Sequence, residues 1–456
     1  AEAKAALVGI ATEYGHDLQL ADGASINDNM RDFFYGAVWQ ECPRCEYKKR
    51  IKHLAGDEAN EAICPKCAKG TRRRVGVRHS LTTHRRANLD LPVIATPKVQ
   101  ASLDKNVMEH YIATLDWPAL DFVEILTDKR KYDTALGYME QYRRFWVPVL
   151  DRPGFYRIHA HINSCGTDHL RQSSNSPNLQ NVSDQDDTGL RACFGPLPDR
   201  EWWNMDFKNI EKRVPAYESQ EPPLVEIFEK PDEPPYWGSD HNLICSLLFP
   251  KEFWPLAEIN GAFKKQYPQK YRKAKNTNFA KQYGAGRRKV EITCGVVGSF
   301  EAIDRGMPKL AELQKYYLNV AETLGYVETL PDRTVDPDRG YPILASRTDD
   351  GRVLSTTPFN YHVSGTACWA KNTALVRCDA QLAVWRAEGF DAHIALEVHD
   401  SILFDFPRGA TIEENLPRAR MLQRLMEQSG DNLIPRIPSP VSVEYHSESW
   451  AKGVTV

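Results

Sequence analysis

The stretch HIALEVHDSILFDF, residues 393–406, indicates most clearly how the chain folds. Two strand-like runs of mostly apolar residues flank the polar pair His399–Asp400, and this pattern predicts a β-hairpin with a tight connection. A carboxylate at the end of a strand is exposed but rigidly held. A second apolar run, REWWNMDF at 200–207, is short enough to be a buried strand, and it carries Asp206 near its end.

The two aspartates together favour a metal site. Acidic side chains at the ends of adjacent strands can share a pair of divalent cations about 4 Å apart. Sequence spacing alone does not show that Asp206 and Asp400 meet. Taken singly, each aspartate is more often a turn or cap residue than a ligand.

A third stretch, YRKAKNTNFAKQYG, combines cations and aromatic rings on one face of a predicted helix. Arg272, Lys275, Phe279 and Tyr283 fall at helical spacing, and the last three are four residues apart. Such a face can hold a triphosphate and stack on a base. The alternative is an amphipathic core helix with solvated charges, but a stripe that also contains Asn278 makes a poor apolar face.

These segments resemble the ordered motifs of family A DNA polymerases, the DNA polymerase I type. SSNSPNLQN (173–181) resembles the signature S-S-x-x-P-N-L-Q-N, and DFKNIEKR (206–213) resembles motif A, D-Y-S-Q-I-E-L-R. RKAKNTNFAKQYG (272–284) resembles motif B, R-x-x-K-x-x-N-F-G-x-x-Y-G, and LEVHDS (396–401) resembles motif C, V-H-D-E. The resemblance covers about residues 160–456 in the family's own order.

The resemblance implies an α+β chain with the right-hand polymerase fold, an antiparallel palm sheet and a small zinc ribbon. The implied domains are the thumb in two parts (1–40 and 87–150), a basic zinc-ribbon insertion (41–86), the palm in two parts (151–220 with motif A and 340–456 with motif C) and the fingers with motif B (221–339).

The resemblance also implies a role for each matching residue. Asp206 and Asp400 would hold two Mg²⁺ ions, and Lys275 would act with them in catalysis. Glu211 would block a 2′-hydroxyl and so select deoxynucleotides. The residues implied to bind the incoming nucleotide are Arg272, Phe279, Tyr283, His241, Glu211 and, through its carbonyl, Phe207. The residues implied to contact the primer and template are Arg171, Asn178, Gln180, Asn360, His399 and Gly284.

Four positions depart from the family's pattern. Tyr271 stands in place of a second triphosphate-binding arginine, and Ser401 stands in place of the motif C glutamate. Ser364 and Thr356 stand in place of a glutamine and an arginine, both of which read the minor groove in the family. Both metal-binding aspartates remain, so we expect activity, and we expect the departures to affect fidelity and mismatch sensing. The H-D-S form of motif C also resembles single-subunit RNA polymerases, but Glu211 favours DNA synthesis.

Four of the ten cysteines form two tight pairs, Cys42 with Cys45 and Cys64 with Cys67, and 18 residues separate the pairs. This spacing predicts a structural zinc ribbon in which four thiolates bind one Zn²⁺. A redox C-x-x-C pair is the alternative. The other six cysteines are scattered singly, which is typical of a reducing compartment.

Charge is unevenly distributed along the chain. Its 456 residues carry a net charge of −3, yet residues 41–86 contain 13 Lys and Arg against 5 Asp and Glu, so this insert carries +8 and the remainder −11. The insert therefore suggests an extension of the thumb that holds DNA. A solvated basic loop, or a docking site for a replication partner, is the alternative.

The expected function is template-directed addition of deoxynucleotides to a primer 3′ end by two-metal-ion nucleotidyl transfer. An RNA-synthesising or reverse-transcribing relative, or a catalytically inactive DNA-binding module, is the alternative. We expect no proofreading exonuclease in this chain, two catalytic Mg²⁺ ions, one structural Zn²⁺, and primer–template DNA and deoxynucleoside triphosphates as partners. No apolar run reaches the ~18 residues of a membrane span, so we expect a cytoplasmic monomer without membrane contact.

Overall fold

The computed structural model describes residues 2–13, 38–41, 48–50, 82–85, 108, 112, 119–164, 166–182, 188–282 and 284–456. The chain divides into two units, Ala1–Arg144 and Phe145–Val456. The predicted thumb, palm and finger boundaries stay predictions.

Five predicted site residues lie outside the described part of the chain. They are Tyr283 and the four candidate zinc ligands, Cys42, Cys45, Cys64 and Cys67. The structure therefore does not show the predicted zinc site.

The first unit combines helices with a small antiparallel sheet. The described elements are α1 (Glu2–Glu13), β1 (Val38–Glu41), β2 (Lys48–Arg50), β3 (Thr82–Arg85) and α2 (Ala119–Arg143). Strand β1 is central and pairs antiparallel with both β2 and β3. Helix α1 buries Leu7 and Ala11, which are four residues apart, and α2 buries Phe122 and Leu126 at the same spacing. The two helices pack against each other.

The second unit contains the segments that resemble the polymerase motifs. Its strands are β4 (Trp146–Pro148), β5 (Tyr156–Ile158), β6 (His161–Asn163), β7 (Ser173–Asn175), β8 (Arg200–Phe207), β9 (Tyr326–Glu328), β10 (Pro342–Leu344), β11 (His393–Val398), β12 (Ser401–Pro407), β13 (Val441–His446) and β14 (Val454–Thr455). Its helices are α3 (Ile210–Ser219), α4 (Pro222–Glu229), α5 (Asp240–Leu248), α6 (Pro250–Phe253), α7 (Ala262–Gln266), α8 (Pro268–Gln282), α9 (Arg287–Cys294), α10 (Ser299–Gly306), α11 (Pro308–Leu324), α12 (Pro358–Ala387) and α13 (Ile412–Asp431).

A five-stranded antiparallel sheet forms the centre of this unit. The strand order is β11-β12-β8-β13-β14, so the predicted hairpin and the predicted buried strand are neighbours. Strand β8 is central because the run REWWNMDF is apolar enough to be covered on both sides. Trp203 is fully buried against Phe406 and Tyr445 from the two flanking strands. The mixed helix and sheet content confirms the predicted α+β class.

Long helices complete the unit around the sheet. Helices α12 and α13 pack along each other, and α13 packs on β8 and β13. The shorter helices α5 to α11 form the region between the motif A strand and α12, where α8 contacts both α5 and α9. Among the described residues, no helix combines the length and the apolar character that a bilayer crossing requires.

A buried ion pair connects α12 to the hairpin strand β11. The Lys371 ammonium, on a side chain that is only 2% exposed, contacts the Glu397 carboxylate and also donates to Gln172 Oε1. The Gln180 side chain donates to Glu397 Oε1 at 3.4 Å. Three segments that are distant in sequence therefore meet at one pair of opposite charges.

We expect Lys371→Met to lower the free energy of unfolding by about 3–5 kcal/mol, because it leaves the Glu397 charge buried without its cation. The double variant Lys371→Met/Glu397→Gln should regain most of that loss, since neither charge then remains. Urea titration followed by tryptophan fluorescence measures both values.

The matched control for this prediction is Lys452→Met, which removes an exposed ion pair with Glu448 and should change stability little. A double variant as unstable as Lys371→Met alone would contradict the assignment of the loss to an uncompensated charge.

Candidate active site

The strand register brings Asp206 and Asp400 to the same end of the sheet. Asp206 on β8 lies opposite Ser401 on β12 and opposite Ser442 on β13. Asp400 immediately precedes Ser401, and its carbonyl accepts a hydrogen bond of 3.4 Å from the backbone N–H of Phe207. The backbones of the two aspartates are therefore neighbours on adjacent strands, which the sequence spacing alone did not show.

A two-residue turn holds Asp400 in this place. Val398 pairs with Ser401, so His399 and Asp400 alone connect β11 to β12. His399 adopts a left-handed backbone conformation (φ 53°), which is uncommon for a residue other than glycine. The Ser401 hydroxyl donates to the Val398 carbonyl at 2.9 Å and closes the turn. The serine that departs from motif C thus has a structural use here.

The carboxylate of Asp400 is short of hydrogen-bond donors. Its side chain is 21% exposed, but Oδ1 is buried and has no hydrogen-bond partner among the described residues. The nearest cation is Arg171, whose Nη2 lies 3.5 Å from Oδ1. Burial raises the pKa of Asp400 above its ordinary value by more than the Arg171 guanidinium lowers it.

Arg171 links Asp400 to Glu211, the predicted sugar-selecting residue. Its Nη2 lies 2.6 Å from Glu211 Oε1, which also accepts a 2.8 Å hydrogen bond from the Ser364 hydroxyl. Ser364 in turn lies 3.3 Å from Asn360 Oδ1, one turn earlier on α12. Ser364, the serine in place of the family's glutamine, therefore orients Glu211.

Helix α8 presents the predicted cationic and aromatic side chains next to α5. Arg272 and Lys275 are exposed, and Lys275 Nζ lies 5.9 Å from the centre of the Phe279 ring. The His241 ring meets Phe279 edge to face at 5.4 Å. The structure thus groups Lys275, which the resemblance implies in catalysis, with Phe279 and His241, which it implies in nucleotide binding.

The carboxylate of Asp240 organises this group. Asp240 is the first residue of α5, where the helix dipole favours an acid. Asn278 Nδ2 lies 2.6 Å from Asp240 Oδ2 and 3.1 Å from His241 Nδ1. Burial raises the pKa of Asp240, but Lys212, His241 and the hydrogen bonds outweigh it and hold the pKa below its ordinary value.

The surroundings of His241 hold its pKa below the ordinary value. Burial lowers its pKa, and the nearby cations Lys212 and Lys275 lower it further, although the Asp240 carboxylate opposes them. When Asn278 donates to Nδ1, the ring proton lies on Nε2. His241 can therefore act as a hydrogen-bond donor.

Lys212 belongs to this group, but the sequence analysis missed it. Its ammonium lies 3.0 Å from Asp240 Oδ2 and 4.8 Å from the centre of the Phe279 ring. The available signal was its position in motif A, where a lysine stands in DFKNIEKR at the place of the leucine in D-Y-S-Q-I-E-L-R. Its partners are distant in sequence, so the motif alone does not reveal the contact.

Other predicted residues have identifiable structural roles. Asn178 Oδ1 accepts from the backbone N–H of Gln180 at 3.0 Å and caps a short 3₁₀ helix. The Gln180 amide binds Glu397 as described above, and His399 is exposed. Gly284 has a left-handed φ of 71°, and a Cβ there would lie 2.9 Å from Thr356 Cα, so this position requires glycine. The DNA contacts predicted for these residues stay predictions.

The carboxylates of Asp206 and Asp400 suit a hard cation whose other ligands are substrate oxygen atoms. No cluster of three or more His, Cys, Asp or Glu side chains that could hold a metal occurs in the described part of the chain. Asp206 and Asp400 supply carboxylate oxygens, and Mg²⁺ is typically bound by one or two carboxylates together with substrate phosphates. The orphaned Asp400 Oδ1 fits this arrangement.

Comparison with a solved structure identifies the fold as that of a polymerase domain. The chain is similar to the POL domain of Pol1 from M. smegmatis, solved as a complex with DNA primer-template and dNTP, with a TM-score of 0.61 and 20% sequence identity. The match covers 80% of this chain and 59% of that chain. The predicted right-hand polymerase fold is confirmed.

The chain belongs to DNA polymerase family A, whose family model matches residues 76–452. It is 27% identical over 307 residues to the thermostable DNA polymerase I of Thermus filiformis, a match that covers 65% of this chain and 33% of that protein. The DNA polymerase I of Bacillus subtilis is 26% identical over 352 residues, with 72% and 36% covered. The chain thus spans about a third of the length of these relatives.

We expect the contribution of Asp240 to stability to depend on pH in a defined direction. The pKa of Asp240 is lower in the folded protein than in the unfolded chain, where it is about 3.9. Its contribution to the free energy of unfolding is therefore complete above the unfolded pKa and is lost as the pH falls through the folded pKa. Asp240→Asn should therefore be less stable than wild type above about pH 5, and the difference should shrink below about pH 4.

Urea unfolding between pH 3 and pH 7 measures this difference, with Asp232→Asn, an exposed loop position, as the matched control. A gap between wild type and Asp240→Asn that stays constant down to pH 3 would contradict the assigned charge network.

Proposed function

We propose that the chain is a template-directed DNA polymerase that adds deoxynucleotides to the 3′ end of a primer by two-metal-ion nucleotidyl transfer. The observation that carries the proposal is the pairing of β8 with β12, which places Asp206 and Asp400 together. The cationic and aromatic face of α8, beside His241, supports it. The complex of the mycobacterial relative with primer-template and dNTP supports DNA and deoxynucleoside triphosphates as partners.

Asp206 and Asp400 would hold two Mg²⁺ ions, with the Phe207 carbonyl as a further ligand. When bound, these ions lower the pKa of the primer 3′-hydroxyl and neutralise charge on the leaving pyrophosphate. The Arg171 guanidinium lies beside the Asp400 carboxylate and pairs with Glu211. It therefore balances negative charge at this end of the sheet.

The residues of α8 and α5 would bind the incoming nucleotide. Exposed Arg272 and Lys275 are positioned to hold the triphosphate, where charge grows on the leaving phosphates in the transition state. His241 would donate its Nε2 proton to a phosphate oxygen. The Phe279 ring would pack on the sugar, and Glu211, held by Arg171 and Ser364, would exclude a 2′-hydroxyl.

The remaining predicted contacts concern the primer and template. Arg171, Asn360 and the exposed His399 would contact the primer–template near its terminus. Tyr283 and Gly284 would lie where the templating base enters. The thumb, palm and finger boundaries given above belong to the same proposal.

We expect Asp206→Asn and Asp400→Asn each to reduce primer extension at least about 10³-fold while primer–template affinity stays within a few fold, because each change removes one metal-binding carboxylate. Extension of a labelled primer with Mg²⁺, with excess chelator, and after Mg²⁺ is restored measures the effect. Each variant should remain folded.

Three outcomes of the same experiment discriminate among functions. Wild-type extension with ribonucleotides but not deoxynucleotides, or on RNA but not DNA templates, would favour the RNA-synthesising or reverse-transcribing alternative. DNA binding without any extension by wild type would favour an inactive binding module. Unchanged extension by Asp206→Asn would contradict the assigned site.

We propose further that residues 41–86 form a zinc ribbon that holds DNA, with Cys42, Cys45, Cys64 and Cys67 as the four ligands of one Zn²⁺. Antiparallel strands β1 and β2, with Glu41 opposite Lys48, flank the first cysteine pair in sequence, and a hairpin of this kind suits a zinc knuckle. Zinc binding would stabilise a segment that is poor in large apolar residues. Its net charge of +8 suits a phosphate backbone.

We expect the double variant Cys64→Ser with Cys67→Ser to lose one zinc per chain and to bind primer–template more weakly, with a shallower dependence on salt, because each lost phosphate contact removes about 0.9 from the log–log slope. Elemental analysis and binding at roughly 50–200 mM salt measure these effects. The scattered pair Cys193→Ser with Cys294→Ser is the control. A zinc-free variant with an unchanged slope would instead favour a solvated loop or a protein-docking site.

A further inference from the structure

Lys212 joins three elements that carry the predicted nucleotide-binding residues. It lies in the first turn of α3, directly after Glu211, and its side chain is only 15% exposed. Its ammonium pairs with Asp240 on α5, donates to Gln282 Oε1 at the end of α8, and lies over the Phe279 ring. Neither the sequence motifs nor the roles proposed above account for this lysine.

Gln282 attaches the start of α3 to the end of α8 at two points. Its side-chain oxygen accepts from Lys212, and its Nε2 donates to the carbonyl of Glu211 at 3.3 Å. Two consecutive residues of α3, one through its main chain and one through its side chain, thus bind the same amide. This double attachment restricts movement of Glu211 relative to α8.

Asp240 extends the attachment to the rest of the group. Its Oδ2 accepts from Lys212 and from Asn278, and Asn278 Nδ2 also lies 3.1 Å from His241 Nδ1. Among the attractive partners of Asp240, Lys212 contributes most to keeping its carboxylate ionised. Loss of the lysine would therefore leave a largely buried acid without its main cation.

We propose that Lys212 is a specificity-determining positioning residue that fixes the separation between the Glu211 carboxylate and the Phe279 ring, and thereby the discrimination between deoxyribose and ribose. The inference rests on the proposed polymerase function. The sugar would lie between these two side chains, so their separation decides whether an added hydroxyl fits. Arg171 and Ser364 fix the Glu211 carboxylate, whereas Lys212 fixes its helix against the Phe279 side.

The test is Lys212→Met, which keeps the length of the side chain and removes its charge and its donors. We expect the ratio of kcat/KM for a deoxynucleotide to kcat/KM for the matching ribonucleotide to fall roughly tenfold or more. The fall should come from a relatively better ribonucleotide reaction, with the KM of the two nucleotides moving in opposite directions. Lys212→Arg keeps a cation in reach of Asp240 and should retain most of the ratio.

Lys281→Met is the matched control, because Lys281 is the neighbour of Gln282 on α8 and is buried to a similar degree. Its ammonium pairs with Asp304 at 2.7 Å and lies 3.8 Å from the Phe300 ring centre, so its charged partners differ from those of Lys212. Lys281→Met should lower the free energy of unfolding and leave the deoxynucleotide-to-ribonucleotide ratio of kcat/KM unchanged. Asp240→Asn, which weakens the same attachment with a shape-matched side chain, should lower the ratio in the direction of Lys212→Met.

Two results overturn the inference. One is a wild-type enzyme that extends primers while Lys212→Met and Asp240→Asn leave the deoxynucleotide-to-ribonucleotide ratio of kcat/KM unchanged. This result would leave the proposed function intact. The other is an equal fall in Lys281→Met, which would show that any loosening of α8 relaxes selection. Wild-type protein that extends no primer with either nucleotide would overturn the proposed function itself.

Discussion

The antiparallel register between β8 and β12 is the constraint on which the candidate active site depends. Asp206 lies opposite Ser401, and a turn of two residues places Asp400 directly before Ser401. A slip of one residue would turn Asp206 to the other face of the sheet. Because β8 is central and pairs with β13 on its other edge, its register is fixed from both sides. The buried Trp203 contacts strands on both sides and reinforces this register.

Charge balance is the second feature of the site. Glu211 pairs with Arg171, Asp240 with Lys212, and Glu397 with Lys371, each partner coming from a different part of the chain. Each pair is partly or fully buried, so the loss of one member costs more than an exposed pair would. The pairs also connect the elements that carry the site: α3 to α5 and α8, and α12 to β11. The same ion pairs thus balance the charge of the site and hold its elements together.

The sequence was sufficient to predict the two strands that carry the aspartates, whereas their juxtaposition needed the strand register of the structure. The apolar runs at 200–207 and 393–406 form strands where the pattern placed them, and the stripe of α8 brings Lys275 and Phe279 together. Local patterns predict these elements because the side chains on one face of a strand or helix recur every few residues. The order of the motifs resembled that of one family, and the model of that family matches residues 76–452.

The contacts of Lys212 and Lys371 could not be predicted, because the periodicity of a segment says nothing about which distant charge it meets. Asn178 is a similar case: its motif suggested a DNA contact, which stays a prediction, and gave no sign that its side chain caps a 3₁₀ helix. The roles of Ser364 and Ser401 were likewise hidden. Both are departures from the family's pattern, and both make hydrogen bonds, to Glu211 and to the Val398 carbonyl, that appear only once the strands and α12 are in place.

The most direct measurement is the anomalous diffraction of Mn²⁺ in crystals of the protein with a chain-terminated primer–template and the next complementary nucleotide. Two manganese peaks about 4 Å apart, both contacted by the carboxylates of Asp206 and Asp400, are the expected result. Peaks that contact only one of these carboxylates, or that lie away from the β11–β12 turn, would contradict the claim that this end of the sheet is a two-metal catalytic centre.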